Sequence, residues 1–247
     1  MRIIAGEFRR RLLEGPPKGA TTRPLPDSVR EAIFNLLRGH FEDADVLDLF
    51  AGTGSFGLEA VSRGARRVVM VERDKRVAEV LSRNAATIGA ESRVEVVVSD
   101  ALGPAALNRC PRPAHIIFLD PPYDLVRDPA VWPRVRAQAE RLASMLTPTG
   151  YLLLRTPHPF SHELDPESGE AVAPAEAKRR KRERQAQAFD EAFESEAEEL
   201  TPTPGRRLRP VSLALGGAVG PETHAYGSTA VHLYMRADAG GPGAPGA

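Results

Sequence analysis

The sequence predicts an α/β fold: a mostly parallel sheet with helices on both faces and one antiparallel terminal strand. Three observations carry this. Short apolar runs alternate with helical patterns from Val46 to Leu154, the signature of consecutive βαβ units. A glycine-rich stretch leads from the first run into the next helix. The largely apolar run His115-Ile116-Ile117-Phe118-Leu119 reads as a buried parallel strand and gives way at once to Asp120-Pro121-Pro122-Tyr123, at the strand end where open sheets of this class place their chemistry.

Element by element, residues 1–13 read as a short strand pair or arm, and Lys18 to Pro26 as a loop dense in Gly, Pro and Thr. Asp27-Ser28 then starts a helix. Ser28 and Glu31 have capping-box spacing, Val29, Ile33, Leu36 and Leu37 form the apolar stripe, and Gly39 ends it. Val46 to Phe50 is strand-like, and Ser55 to Arg63 is a helix closed by Gly64. Val68–Val71 is the second strand; Asp74 to Ile88 is a helix with Val77, Val80 and Leu81 inside and Gly89 at its end. Val94–Val98 and Ile116–Leu119 are the third and fourth strands, Val131–Met145 a helix, Tyr151–Leu154 the fifth strand.

The regularity stops at Thr156. Residues 157–210 have little apolar content and no convincing strand, so a charged insertion, helical or disordered, is expected there. Its basic block Lys178-Arg179-Arg180-Lys181-Arg182 is a second candidate RNA contact. Final strands of the core are expected over 211–236, clearest at Thr229–Tyr234, with a disordered Gly/Pro/Ala tail over 237–247. The expected organisation is therefore a basic arm and helix (1–40), an α/β core (41–156), the insertion, the final strands and the tail.

Composition narrows the class. The 247 residues are 42% hydrophobic and 27% charged, with net charge zero, as in ordinary globular proteins. No apolar run reaches the roughly 20 residues of a bilayer span, and the amino terminus lacks an apolar signal region. A single cysteine, Cys110, excludes an intramolecular disulfide and has no partner at metal-ligand spacing, so a cytoplasmic protein without a metal site is expected. Charge is unevenly spread: residues 1–38 carry eight basic side chains against four acidic ones. Arg2, Arg9, Arg10, Arg11, Arg23 and Arg30 are accordingly candidate RNA contacts, or else a solvated basic arm.

The chemistry lies at four successive strand ends. Asp48-Leu49-Phe50-Ala51-Gly52-Thr53-Gly54-Ser55-Phe56-Gly57 holds a Gly-x-Gly-x-x-Gly turn, where glycines permit tight backbone geometry and a helix amino terminus offers free N–H groups. Glu72, followed by Arg73, ends the next strand, placed to accept ribose hydroxyls. Asp100 and Ala101 follow the third, where an acid can accept from an adenine amine. The glycine turn alone fits a dinucleotide as well as S-adenosylmethionine. Asp48 just before the turn favours the latter: an acid suits a cationic amino-acid tail and disfavours a pyrophosphate. In the fourth turn the prolines fix φ and remove N–H donors, leaving carbonyls to accept, while Asp120 adds a carboxylate and Tyr123 a ring face. Such a turn is either a stiff strand exit or a holder for a planar, amine-bearing base.

The ordered set Asp48/Gly52/Gly54, Glu72, Asp100 and Asp120–Tyr123 resembles the class I, Rossmann-like S-adenosylmethionine-dependent methyltransferases. The (Asp/Asn)-Pro-Pro-(Tyr/Phe) turn resembles those that methylate exocyclic amines of bases. Arg2–Arg10, Arg23–Asn35, Phe50–Ala60 and Tyr226-Gly227-Ser228-Thr229-Ala230 narrow the similarity to the bacterial 16S ribosomal RNA guanine-N2 methyltransferase family, over roughly 1–156 and 221–236. Leu25-Pro26 departs from that family, which usually carries threonines there, and 157–210 has no recognised counterpart. The resemblance implies S-adenosylmethionine as cofactor, held by Asp48, Phe50, Ala51, Gly52, Thr53, Gly54, Glu72, Arg73, Asp100 and Ala101. It implies a guanine in 16S RNA, free or in a small-subunit assembly particle, facing Asp120, Pro121, Pro122 and Tyr123, and a monomeric enzyme. An adenine-N6 methyltransferase of DNA or RNA shares the same turn. A non-catalytic RNA-binding assembly protein shares the same fold.

Overall fold

The computed structural model describes residues 1–20, 25–164, 168–179, 183 and 208–237. Its centre is a seven-stranded sheet in the order β3-β2-β1-β4-β5-β10-β9. Strands β1 (Asp45–Leu49), β2 (Arg67–Glu72), β3 (Val94–Val98), β4 (Ala114–Leu119) and β5 (Leu146–Pro157) pair in parallel. The strand order reverses between β1 and β4, so the loops leaving these two neighbours open a crevice at their carboxyl ends. β10 (Thr229–Arg236) is antiparallel to both β5 and β9 (Ala218–Tyr226), so it alone runs against the other six.

The central strands are largely apolar because both sheet faces are covered there. On one face Val46, Phe118 and Met70 pack with Phe34, Phe56 and Leu58; on the other Leu47, Ile117 and Leu119 pack with Trp132, Val135 and Leu142. The helices supplying these residues are α1 (Asp27–Leu36), α2 (Gly57–Ser62) and α3 (Lys75–Ile88) on the first face, and α4 (Pro104–Arg109), α5 (Tyr123–Val126) and α6 (Trp132–Ala143) on the second. Side chains alternate along a strand, so Asp48, two residues after Val46, falls on the α2 face. Helix α3 matches its expected bounds: Asp74 accepts from the Arg76 N–H as N-cap and Gly89 closes the helix at φ 77°.

The amino-terminal segment belongs to the core. Ile3, Phe8 and Leu13 are buried, and Arg2 bridges Leu12. Glu59 of α2 accepts the N–H groups of Ile4 (2.7 Å) and Ala5 (3.1 Å), while the Ser62 hydroxyl donates to the Ala5 carbonyl at 2.6 Å. Only glycine fits at residue 6: its φ is 82°, and a Cβ there would lie 1.7 Å from the Ser62 carbonyl oxygen.

Two expectations need correction. Ser28 does not cap α1: the helix begins at Asp27 after Pro26, without a side-chain cap, and Asp27 pairs with Arg30 at 3.0 Å instead. The final strand β10 is the single antiparallel strand, as expected, and it is flanked by β5 and the edge strand β9, whose residues carry no strand pattern. An edge strand half in solvent needs no apolar alternation and tolerates Pro221. Within 157–210, β6 (Ser161–Leu164), β7 (Ala171–Val172) and β8 (Leu208–Pro210) form a small antiparallel sheet. Its strands are short and polar, and β6 and β8 lie far apart in the chain, so local patterning does not reveal them. The 237–247 tail, apart from residue 237, and most of the Lys178–Arg182 block lie outside the described residues.

Candidate active site

The glycine loop leaves β1 and is tied across the sheet ends. Ala51 N–H donates to the Val71 carbonyl (3.0 Å), and Phe50 takes φ 63°, left-handed backbone rare outside glycine. Asp48, at the end of β1, is buried and accepts the Gly57 N–H at 2.8 Å, fixing the start of α2. Gly57 is required for this approach, since a Cβ would come within 2.3 Å of the Met70 sulfur. Glu72 holds the loop from the next strand: its two oxygens accept the N–H groups of Gly52 (3.0 Å) and Asp74 (2.8 Å). Asn84 of α3 donates to the Thr53 carbonyl (3.0 Å) and accepts from Glu14 N–H (2.7 Å), so it links the loop to the amino-terminal segment. Ala51, Thr53 and Gly54 are buried, and Phe50 and Gly52 are half-buried.

After β3, Asp100 is exposed, accepts the Leu102 N–H at 3.0 Å and lies 3.7 Å from Arg134. Ala101 is buried, its carbonyl taken by Gln138. Arg73 is exposed beside Glu72. The four strand ends expected to form one site therefore do lie at one end of the sheet.

The Asp120-Pro121-Pro122-Tyr123 turn is more constrained than its sequence shows. Asp120 N–H reaches across to the Leu49 carbonyl of β1 (3.4 Å). The Pro122 carbonyl is not free as expected: it accepts from Leu125 (3.0 Å) and Val126 (3.3 Å) N–H, because the chain turns directly into α5. The Pro121 carbonyl has no backbone donor among the described residues. The Asp120 carboxylate is paired with the Arg155 Nε, and Arg155 Nη1 donates to the Tyr123 hydroxyl at 3.2 Å. The Arg155 guanidinium also lies 4.9 Å from the Tyr123 ring centroid, with Arg127 at 5.6 Å. Thr229, the first residue of β10, hydrogen-bonds the same hydroxyl. Arg155 and Thr229 escaped the sequence reading. A lone charge after Tyr151-Leu152-Leu153-Leu154 on an interior strand was the available signal for the first.

Acids dominate the electrostatics. Burial pushes the Asp48 carboxyl up to about 8, against the Gly57 N–H, with Asp120 and Glu72 adding repulsion. Burial also raises Asp120, and Arg155 is the group that holds it back. This donor set fits S-adenosylmethionine: its ammonium and sulfonium would relieve crowded acids, whereas a pyrophosphate would add to the repulsion. Among the described residues no group of three or more His, Cys, Asp and Glu side chains is placed to hold a metal ion, and no helix is long and apolar enough to cross a membrane.

The arginine candidates divide. Arg2, Arg9, Arg10 and Arg11 are exposed, the last three on a tight turn in which Arg10 takes φ 69°. Arg30 must be withdrawn as a nucleic-acid contact. It is fully buried, donating to the Arg2 carbonyl and to Asp27, so its charge fixes the arm to α1 and cannot reach a phosphate. Arg23 lies outside the described residues.

Residues 1–185 match the family model described as "Conserved hypothetical protein 95". The chain belongs to this family. The matched stretch runs past 156, into the first part of the segment read as an insertion. Over 123 residues, half of this chain, it is 42% identical to the "Ribosomal RNA small subunit methyltransferase D" of Escherichia coli K12. Over 126 residues it is 37% identical to the "Putative rRNA methyltransferase YlbH" of Bacillus subtilis 168. The match spans 60% of the length of the first relative and 67% of the second. Among solved structures, the "putative methyltransferase yhhF" from Escherichia coli superposes with a TM-score of 0.60 at 26% identity, over 96% of this chain and 97% of that one. The class I methyltransferase fold expected from the sequence is the fold observed.

Proposed function

We propose that this member of the family transfers the methyl group of S-adenosylmethionine to the exocyclic N2 of a guanine in 16S ribosomal RNA. The observation that carries the reading is the Asp120–Tyr123 turn, whose half-buried carboxylate and Pro121 carbonyl stand at the end of β4 beside the glycine loop of β1. The names of the related proteins supply the RNA. Asp48, Glu72, Asp100 and the Phe50–Gly54 loop would hold the cofactor, which supplies a methyl group on sulfonium, an already activated leaving group.

The residues then do two things. Asp120 and the Pro121 carbonyl each accept one N–H of the amine, drawing its lone pair out of the ring plane toward the methyl carbon. Tyr123 offers its ring to a base turned out of its helix, a stacking contact worth about 1–3 kcal/mol. No strong base is needed, because the alkylated nitrogen is acidic and sheds its proton readily. Arg2, Arg9, Arg10 and Arg11 would add phosphate contacts that carry no sequence information. The test is nucleoside mass spectrometry of 16S RNA from cells lacking the protein, followed by transfer to their small-subunit particles with the purified chain. N2-methylguanosine should be lost in the first experiment and restored in the second. Loss of N6-methyladenosine instead would reassign the base.

A further inference from the structure

We propose that Arg155 is the positioning residue of this site, a clamp that holds the Asp120 carboxylate ionised and aligned while fixing the Tyr123 ring, with Thr229 as the clamp's second jaw. The inference rests on the proposed reaction, for which it explains how a carboxylate stays ready to accept.

The geometry has four parts. Arg155 closes an ion pair on Asp120 through Nε at Oδ1, and no other described residue hydrogen-bonds the carboxylate. Its Nη1 reaches the Tyr123 hydroxyl, and its guanidinium stands over the Tyr123 ring. One planar side chain therefore grips both ends of a turn that two prolines have already stiffened. Thr229 takes the Tyr123 hydroxyl from the other side, and its position comes from the Tyr226–Thr229 hairpin between β9 and β10. Arg155 itself is held in register on the strand, opposite Val231 of β10. The clamp thus joins β4, β5 and β10, elements no local motif connects.

The charges around Asp120 show why a clamp is needed. β1 presents the acid Asp48, which couples to Asp120 on one side and to Glu72 of β2 on the other. Its own turn presents Tyr123, with Arg127 beyond the ring, and β10 contributes only uncharged Thr229. Arg155 on β5 is the cation that touches the carboxylate. Without it the desolvated Asp120 carboxyl takes up a proton more readily, and a protonated carboxyl donates where it must accept.

The experiment compares the full-length chain with R155M, R155K and T229V. Each is first tested for S-adenosylhomocysteine binding and thermal melting, and unaltered binding is expected. The Asp120 carboxyl is then titrated by carbon NMR of aspartate-labelled protein, which needs no RNA. In R155M its midpoint should rise by about one unit or more, and R155K should return it toward the wild-type position. Single-turnover transfer to unmethylated small-subunit particles should fall about a hundredfold in R155M near neutral pH and recover partly as pH rises. T229V should lower transfer roughly tenfold without moving the Asp120 midpoint. An unmoved midpoint in R155M, or an equal loss of transfer at every pH, overturns the clamp. A methylated base other than guanine overturns the proposed reaction and leaves the titration result standing.

Discussion

Two carboxylates, the buried Glu59 and the half-buried Asp120, show how differently this protein uses the same group. Glu59 sits on α2 and accepts from three donors: Arg63 at the end of the same helix, and Ile4 and Ala5, which it fastens to the core. Asp120 sits at the end of β4 with one charged donor, Arg155, and with the acid Asp48 nearby. A carboxylate held by three donors builds structure. One left partly unsatisfied in an acid-rich crevice keeps capacity for a ligand and costs stability until that ligand arrives. The two arginines divide the same way: Arg30 ties backbone to helix, while Arg155 ties the members of a reactive turn.

This contrast can be broken by exchanging its members' fates. The largest effect should come from Asp120→Asn, which keeps size and removes charge. Methyl transfer should drop by about a thousandfold or more while S-adenosylhomocysteine affinity stays within a few-fold, as read by single-turnover kinetics and calorimetry. A matching loss of cofactor affinity would place Asp120 in the cofactor's half of the site. Glu59→Ala should do the reverse. Loss of its three partners should cost about 3–5 kcal/mol of stability by denaturant melting, with transfer per folded molecule little changed at low temperature. A stable Glu59 variant with no transfer would erase the distinction drawn here.

Asp48 sharpens the comparison, because its acid is held neutral in the free protein. Its folded value, about 8, exceeds the ordinary 3.8, so the unfolded chain binds fewer protons and stability falls as pH rises between those values. Asp48→Asn should therefore raise Tm near neutral pH, by roughly 2–4 °C for each kcal/mol gained, yet abolish tight S-adenosylmethionine binding. In the wild type, cofactor affinity should weaken as pH drops below about 8. Binding near neutrality should also release protons, measurable by calorimetry in buffers of different ionisation enthalpy. A pH-independent affinity would separate Asp48 from the cationic tail. The smallest effect on chemistry should follow from replacing Arg9, Arg10 and Arg11 together with Ala. RNA binding should weaken and its salt dependence flatten, with cofactor affinity unchanged. An unaltered salt slope would make these exposed arginines bystanders.

The strands and longer helices from Val46 to Leu154 were legible because their information is local; the short α4 and α5 were not. Apolar runs buried on both faces, the Asp74 and Gly89 caps, and the glycine turn act within a few residues of themselves. The four strand-end motifs were legible for the same reason, and a parallel sheet necessarily brings them to one end. What the chain's order could not disclose depends on partners remote in sequence. Arg30 reads as a basic helix residue and becomes a buried tie only because the arm folds back over α1. β9 acquires strand geometry from β10, not from its own residues. Arg155 meets Asp120 from 35 residues away, and Thr229 meets Tyr123 from 106. Residue order by itself determined which groups stand at the strand ends. Tertiary structure decided their charge and freedom, because burial and neutralisation are properties of the neighbours that packing supplies.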